Sequence, residues 1–204
     1  VSDGAGNAIG ASRTYLDALN PGESQLVTFT WPAPFAVKAE VCESPVDVVL
    51  GIDRSGSMSA LGETPPQPLT DVKNAGIFFV SQLDDSDLAS VVSFATEAAT
   101  SSESCLTSRF DELEKAIGAI SIWKNGIQQT NIADALAVSH AELRSSRHRN
   151  GVQAVIVLLT DGVATLPEMK GDPKYPESFA LTLGDKVKAD GVRLFTIGLG
   201  KEVN

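Results

Sequence analysis

Two nearly continuous apolar runs constrain the fold of this chain most strongly. Residues 46–52 hold one charged side chain and residues 152–160 hold none. Strands with so little alternation are typical of a parallel sheet whose two faces are both covered by helices. Further strands are predicted at residues 89–94 and 192–198, and residues 103–107 are a weak candidate for an edge strand.

Segments with helical spacing separate these strands. We expect helices to begin near Thr70, Ser108 and Thr130, where hydroxyl side chains favour a helix N-terminus, and a fourth helix over residues 177–190. Strands that alternate with helices predict an α/β fold, a Rossmann-like, doubly wound and mostly parallel sheet with helices on both faces. The first helix is expected to bury one apolar stripe, formed by Val72, Ala75, Phe79 and Leu83.

The first 44 residues have a different character. Residues 24–31 are rich in β-branched and aromatic side chains and follow a turn signal at residues 20–22. Residues 35–41 are a second strand candidate, and two strands are too few for a stable domain. We therefore expect a short β segment over residues 1–44, the end of a β-sandwich, followed by an α/β domain over residues 45–204.

The composition argues against two classes of partner. The chain has 16 Lys and Arg against 26 Asp and Glu, which gives a net charge of −10. A surface with this charge repels the phosphates of nucleic acids and anionic lipid headgroups. No apolar run approaches the roughly 18 residues that a membrane helix needs, so we expect no direct membrane insertion. The sequence does not indicate the oligomeric state.

Five oxygen-bearing side chains are expected at one edge of the predicted sheet. Asp53, Ser55 and Ser57 follow the first strand, and Asp161 follows the strand that ends at residue 160. Thr130 begins a helix at the same edge, where α/β sheets place their functional sites. Such residues are also ordinary turn and cap residues. Two carboxylates and three hydroxyls together predict a site for Mg²⁺, with Mn²⁺ or Ca²⁺ as alternatives, and not for zinc.

These segments together resemble a von Willebrand factor type A (vWA) domain. The resemblance covers about residues 45–204. It implies that the family's metal ion-dependent adhesion site falls on all five oxygen-bearing residues, intact. It also implies that an Asp or Glu carboxylate of a protein partner occupies the exchangeable coordination position. The matching segments are residues 48–58, 130–136, 158–162 and 191–200.

The chain departs from the family pattern at two places. The family fold usually has one more strand and helix after the strand at residues 192–198, so the α/β domain is expected to be C-terminally incomplete. The loop over residues 60–69 is long and rich in proline, and it is either a specificity element or a solvent-exposed spacer. The N-terminal segment resembles, more weakly, the end of a CARDB-type β-sandwich, a module of prokaryotic exported proteins.

Three kinds of function are compatible with such a site. The favoured one is a metal-dependent binding and adhesion module. It would belong to an extracellular or cell-surface protein that a prokaryote exports. The alternative is an intracellular assembly module that works with an AAA+ ATPase in a chelatase-type complex. An enzyme that uses the ion as a Lewis acid is the third. We expect no enzyme, because no nucleophile or base accompanies the ion, and His140 and His148 are more typical of packed or solvated residues.

Two cysteines allow one disulfide bond. Cys42 precedes the first predicted strand of the α/β domain, and Cys105 lies on the edge-strand candidate. A bridge is typical of an exported protein, whereas two buried free thiols are the alternative. The upstream β segment and the two cysteines both favour export.

Overall fold

The structure is a computed structural model that describes residues 44–59, 65–99, 104–122 and 129–198. These residues belong to the unit Glu43–Asn204. The predicted N-terminal β segment, Cys42 with its disulfide bond, and residues 60–64 of the proline-rich loop lie outside the described residues.

The described strands form one five-stranded sheet. The strands lie in the order β3-β2-β1-β4-β5, and every neighbouring pair is parallel except β2 with β3. This confirms the mostly parallel sheet, and the weak candidate at residues 103–107 is indeed an antiparallel edge strand. The bounds are β1 (Val46–Asp53), β2 (Leu88–Phe94), β3 (Ser104–Thr107), β4 (Gln153–Thr160) and β5 (Arg193–Gly198).

Helices cover both faces of the sheet. Side chains of β1 alternate between the two faces, so that Leu50 packs with the first pair of helices and Val49 with the second pair. This arrangement confirms the doubly wound architecture. One face carries α1 (Leu69–Val80) and α2 (Phe110–Ala119), and the other carries α3 (Ile132–Leu143) and α4 (Tyr175–Ala189).

The predicted buried stripe of α1 is confirmed at Val72, and Leu83 packs against the same core beyond the end of the helix, but the prediction is wrong at Ala75 and Phe79, which are exposed. Phe79 is 36% exposed, whereas Val80 beside it is fully buried. The prediction failed at Gly76, which was not counted as a core residue. A Cβ at Gly76 would lie 3.6 Å from both Ile117 and Ile52, so the glycine lets α1 approach α2 and β1 closely. The stripe that the helix buries consists of Leu69, Val72, Gly76 and Val80.

The helices begin within two residues of the predicted starts, but the predicted capping residues are wrong. Thr70 lies inside α1, and its hydroxyl donates to the carbonyl of Pro66 at 2.7 Å instead of capping the helix. Ser108 lies before α2 without forming a cap. Asn131, not Thr130, caps α3, since its side chain accepts the N–H of Asp134 at 3.0 Å. The side chain of Thr130 is therefore not committed to the helix N-terminus.

A buried carboxylate anchors the amino end of β1. Asp47 is fully buried and accepts hydrogen bonds from the backbone N–H and the guanidinium of Arg149 and from Nδ1 of His148. The same guanidinium donates to the carbonyls of Ser86 and Val46. Arg149 therefore balances a charge inside the protein, a role that the sequence analysis did not assign to it.

None of the helices described here has the length and apolar character needed to cross a membrane.

Replacing Asp47 by Asn tests this anchor. We expect Asp47→Asn to lower the free energy of unfolding by about 3 kcal/mol, because it leaves the Arg149 guanidinium without its buried counter-charge. Urea denaturation at neutral pH measures this. Asp111→Asn is the matched control, since Asp111 forms an exposed pair with Lys115 on α2 and its loss should cause no measurable change. Equal behaviour of the two variants would contradict a role for Asp47 as an anchor.

Candidate metal centre

Parallel pairing of β1 with β4 brings two carboxylates to one edge of the sheet. Asp53 is the last residue of β1, and Asp161 directly follows β4. The register pairs Ile52 with Leu159, so both strands end at the same level. The two aspartates therefore meet although more than a hundred residues of sequence separate them.

The turn after β1 folds the two serines back towards these carboxylates. The N–H of Ser55 donates to Oδ1 of Asp53 at 2.8 Å, and a short 3₁₀ turn, Gly56–Met58, follows. The hydroxyl oxygens of Ser55 and Ser57 lie 3.0 Å apart. The Ser57 hydroxyl donates to Oδ1 of Asp161 at 2.8 Å. A continuous series of hydrogen-bonding contacts thus runs from β1 to the loop after β4.

Thr130 completes the group from a third direction. Its backbone N–H donates to the hydroxyl of Thr165 at 2.9 Å, which ties the start of α3 to the loop after β4. A Cβ placed on Gly162 would lie 3.7 Å from the Ser57 hydroxyl oxygen and 3.8 Å from that of Thr130. The structure therefore brings all five sequence-predicted residues together, and their role as metal ligands stays a prediction.

Thr160 belongs to the centre, although the sequence analysis assigned it no role. Its hydroxyl donates to Oδ2 of Asp53 at 2.5 Å, while Ser55 engages the other oxygen. The N–H of Gly162 donates to the same Thr160 hydroxyl at 3.3 Å. The signal in the sequence was its position as the last residue of an apolar strand, immediately before Asp161. Thr160 holds the Asp53 carboxylate in one orientation.

Among the described residues, the carboxylates of the centre form no ion pair with a protein cation. Burial raises the pKa of Asp53, and repulsion by Asp161 adds to this, while hydrogen bonds from Thr160 and Ser55 act in the opposite direction. None of the ion pairs among the described residues involves either aspartate. Two carboxylates that have no ion-pair partner in the described part of the chain, with hydroxyl oxygens around them, fit a hard divalent cation.

The ligand set is built mainly from hydroxyls. Within the described ranges no group of three or more His, Cys, Asp or Glu side chains is placed to hold a metal ion. Asp53, Ser55 and Thr130 are buried, Asp161 is half-buried and Ser57 is exposed. The centre therefore opens to solvent on the side of Ser57 and Asp161, where a molecule from outside could reach it.

Solved structures with the same fold come from different sources. The protein BatB from Bacteroides thetaiotaomicron is 25% identical, with a TM-score of 0.57 over 76% of this chain and 67% of that chain. Proximal thread matrix protein 1 from the mussel byssus is 25% identical, with a TM-score of 0.58 over 78% of this chain and 36% of that chain. The mussel structure has a zinc-occupied metal ion-dependent adhesion site.

A more distant match shows the fold alone. The pilus adhesin from Streptococcus pneumoniae is 19% identical, with a TM-score of 0.52 over 60% of this chain and 21% of that chain. No curated protein sequence matches the chain significantly. The family model of the von Willebrand factor type A domain matches residues 47–204, well over half of the sequence. The chain therefore belongs to the von Willebrand factor type A domain family.

Proposed function

We propose that this domain is a metal-dependent protein-binding module of an extracellular or cell-surface protein. A divalent ion would be held at a metal ion-dependent adhesion site formed by the five residues described above, and an Asp or Glu of a protein partner would bind to it. One observation carries the proposal: a series of hydrogen-bonding contacts runs from Asp53 through the N–H of Ser55 and the hydroxyls of Ser55 and Ser57 to Asp161. Neither carboxylate is paired with a cation among the described residues.

The hydrogen bonds of the centre are compatible with a bound cation. A hydroxyl that donates its proton to a carboxylate keeps lone pairs on oxygen, so Ser57 could bind an ion while it donates to Asp161. The ion, when bound, would supply positive charge and open coordination positions for a carboxylate oxygen. The chain has a net charge of −10, which would otherwise repel such a ligand.

The proposed ion is Mg²⁺, with Mn²⁺ and Ca²⁺ as alternatives, because all five donors are hard oxygens. The sequence analysis argued against zinc. The mussel thread matrix protein holds zinc at its adhesion site, so zinc belongs in any test of ion preference. That relative is a thread matrix protein, and this supports the extracellular location that we propose here.

We also propose that the domain is not an enzyme. His148 is committed to Asp47 at the amino end of β1, with a distance of 2.8 Å. Nε2 of His140 lies 3.1 Å from Asp190 at the end of α4. Both histidines thus pair with other carboxylates, so neither is engaged as a base beside Ser57 or Thr130.

Removing one charge from the centre tests the proposal. We expect Asp161→Asn to weaken binding of Mg²⁺ and Mn²⁺ more than about tenfold, because the carboxylate is half of the negative charge that holds the ion. Calorimetry with Mg²⁺, Mn²⁺, Ca²⁺ and Zn²⁺ measures this. Asp172→Asn is the matched control, since Asp172 is exposed in the same loop. This variant should bind the ions as tightly as the wild type does.

Partner binding should follow the ion. Surface-plasmon assays against matrix and cell-surface proteins, with Mg²⁺ or with EDTA, are expected to show binding that EDTA and Asp161→Asn both abolish. Binding that survives both treatments would show that recognition does not depend on the ion.

The pKa of Asp53 predicts how the stability of the metal-free protein depends on pH. Its pKa is raised above the ordinary value of 3.8, so the folded chain holds this proton more tightly than the unfolded chain. The contribution to stability is therefore largest below about pH 4 and is lost as the pH rises through the folded pKa. In EDTA we expect Asp53→Asn to remove this loss and to be more stable than wild type at pH 7.

Urea denaturation between pH 4 and pH 8, with and without Mg²⁺, measures this effect. Mg²⁺ should stabilise the wild type, but it should not stabilise the Asn variant. If the free energy of unfolding of Asp53→Asn in EDTA depends on pH as that of the wild type does, the charge on Asp53 is balanced in some other way.

Thr160 is expected to position Asp53 for the ion. Thr160→Val keeps the shape of the side chain but removes the hydroxyl, so the Mn²⁺ affinity should fall about tenfold. Thr160→Ser restores the donor and should bind Mn²⁺ close to wild type. Calorimetry and urea denaturation of both variants separate positioning from stability. If the Thr160→Val and Thr160→Ser variants bind Mn²⁺ equally well, the hydrogen bond to Asp53 has no role at the centre.

A further inference from the structure

A cavity of about 490 Å³ opens directly beside the candidate metal centre. Asp161, Gly162 and Val163 form the side of the cavity that faces the centre, and α4 and β5 form the opposite sides. Its volume lies in the range of pockets that hold small ligands or side chains. The floor is largely apolar and is formed by Ile132, Leu136, Leu158, Ala180 and Leu194.

Two apolar side chains at this cavity are exposed to solvent. Leu181 on α4 is 71% exposed, and Val163, two residues after Asp161, is 47% exposed. Exposed apolar side chains that border a cavity beside a binding centre are typical of a recognition surface. They would gain from contact with an apolar group of a partner, because this contact removes their surface from water.

We propose that the cavity receives a large apolar side chain that neighbours the acidic residue of the protein ligand. This inference rests on the proposed function, since the ion holds the acidic residue beside Asp161. The partner segment would thus carry Asp or Glu next to Leu, Ile, Met or Phe. The ion would select for the acid, and the cavity would select for the residue beside it.

The charges around the cavity fit one acidic residue and not two. Among the described residues that line it, the one positive group is Lys188, which is paired with Asp185 at 2.7 Å. Glu177, also in the lining, is exposed and would repel a second acid on the ligand. A ligand with one carboxylate at the ion and an uncharged, apolar neighbour therefore complements both parts of the surface.

Short peptides test this preference without knowledge of the natural partner. The probes are the tetrapeptides Gly-Asp-Leu-Gly and Gly-Asp-Ala-Gly, acetylated and amidated at their ends, with the 204-residue chain in Mg²⁺. We expect the Leu peptide to bind about tenfold more tightly than the Ala peptide. In NMR titrations the Leu peptide should shift the backbone amides of Val163 and Leu181, and EDTA should abolish binding of both peptides.

A matched pair of variants places the effect in the cavity. Thr196 and Ile197 are neighbours on β5 and both are exposed, but only Thr196 lines the cavity, because alternate side chains of a strand point to opposite faces. Thr196→Trp should fill the cavity and reduce the affinity of the Leu peptide to that of the Ala peptide. Ile197→Trp should leave the tenfold preference unchanged and controls for folding of a Trp variant.

The outcomes separate this inference from the proposed function. If both peptides bind with equal affinity and EDTA abolishes their binding, the cavity has no role and the metal-dependent function stands. If Thr196→Trp and Ile197→Trp reduce the preference equally, the apolar contact lies elsewhere and the inference is wrong. If neither peptide binds in Mg²⁺, the proposed function fails, and the inference fails with it.

Discussion

The parallel pairing of β1 on both of its edges determines most of what this domain can do. β1 lies between β2 and β4, and helices cover both of its faces. Since parallel strands end at the same edge of a sheet, Asp53, Asp161 and the loop after β2 all meet there. That loop supports the third segment of the centre, because the carbonyl of Ala95 accepts the N–H of Asn131 at 2.8 Å. The centre is thus a consequence of strand order.

The two ends of β1 carry buried aspartates in opposite electrostatic states. Asp47, at the amino end, is paired with the Arg149 guanidinium and accepts a hydrogen bond from His148. Asp53, at the carboxyl end, receives hydrogen bonds but has no ion pair among the described residues, and burial raises its pKa. A buried charge without a counter-charge destabilises a fold. Its presence at the edge where α/β proteins bind ligands supports the proposal that a cation from solvent completes this end of the strand.

Under the two proposals, this edge would combine two kinds of recognition. The candidate metal centre would select by charge, whereas the neighbouring cavity between α4 and β5 would select by apolar contact and shape. Val163 lies between the two, because it follows Asp161 by two residues and also lines the cavity. A protein partner that uses both would gain specificity from the residue beside its carboxylate, which an ion alone does not distinguish.

The sequence by itself determined the order of strands and helices along the chain, the parallel sheet, and the position of the five oxygen-bearing residues at one edge of it. Buried parallel strands have an apolar pattern, and the residues that follow them lie at the edge where the strands end. The sequence did not determine the buried face of α1. Gly76 has no side chain to mark it as a core residue, and only its packing against Ile52 and Ile117 shows its place.

The hydrogen bond from Thr160 to Asp53 was likewise hidden, since it joins residues that are distant in the chain. The cavity beside Asp161 depends on the spacing between α4 and the sheet. Local patterns in a sequence record which faces are apolar, but only the tertiary structure decides which side chains meet across separate elements and where space remains between them.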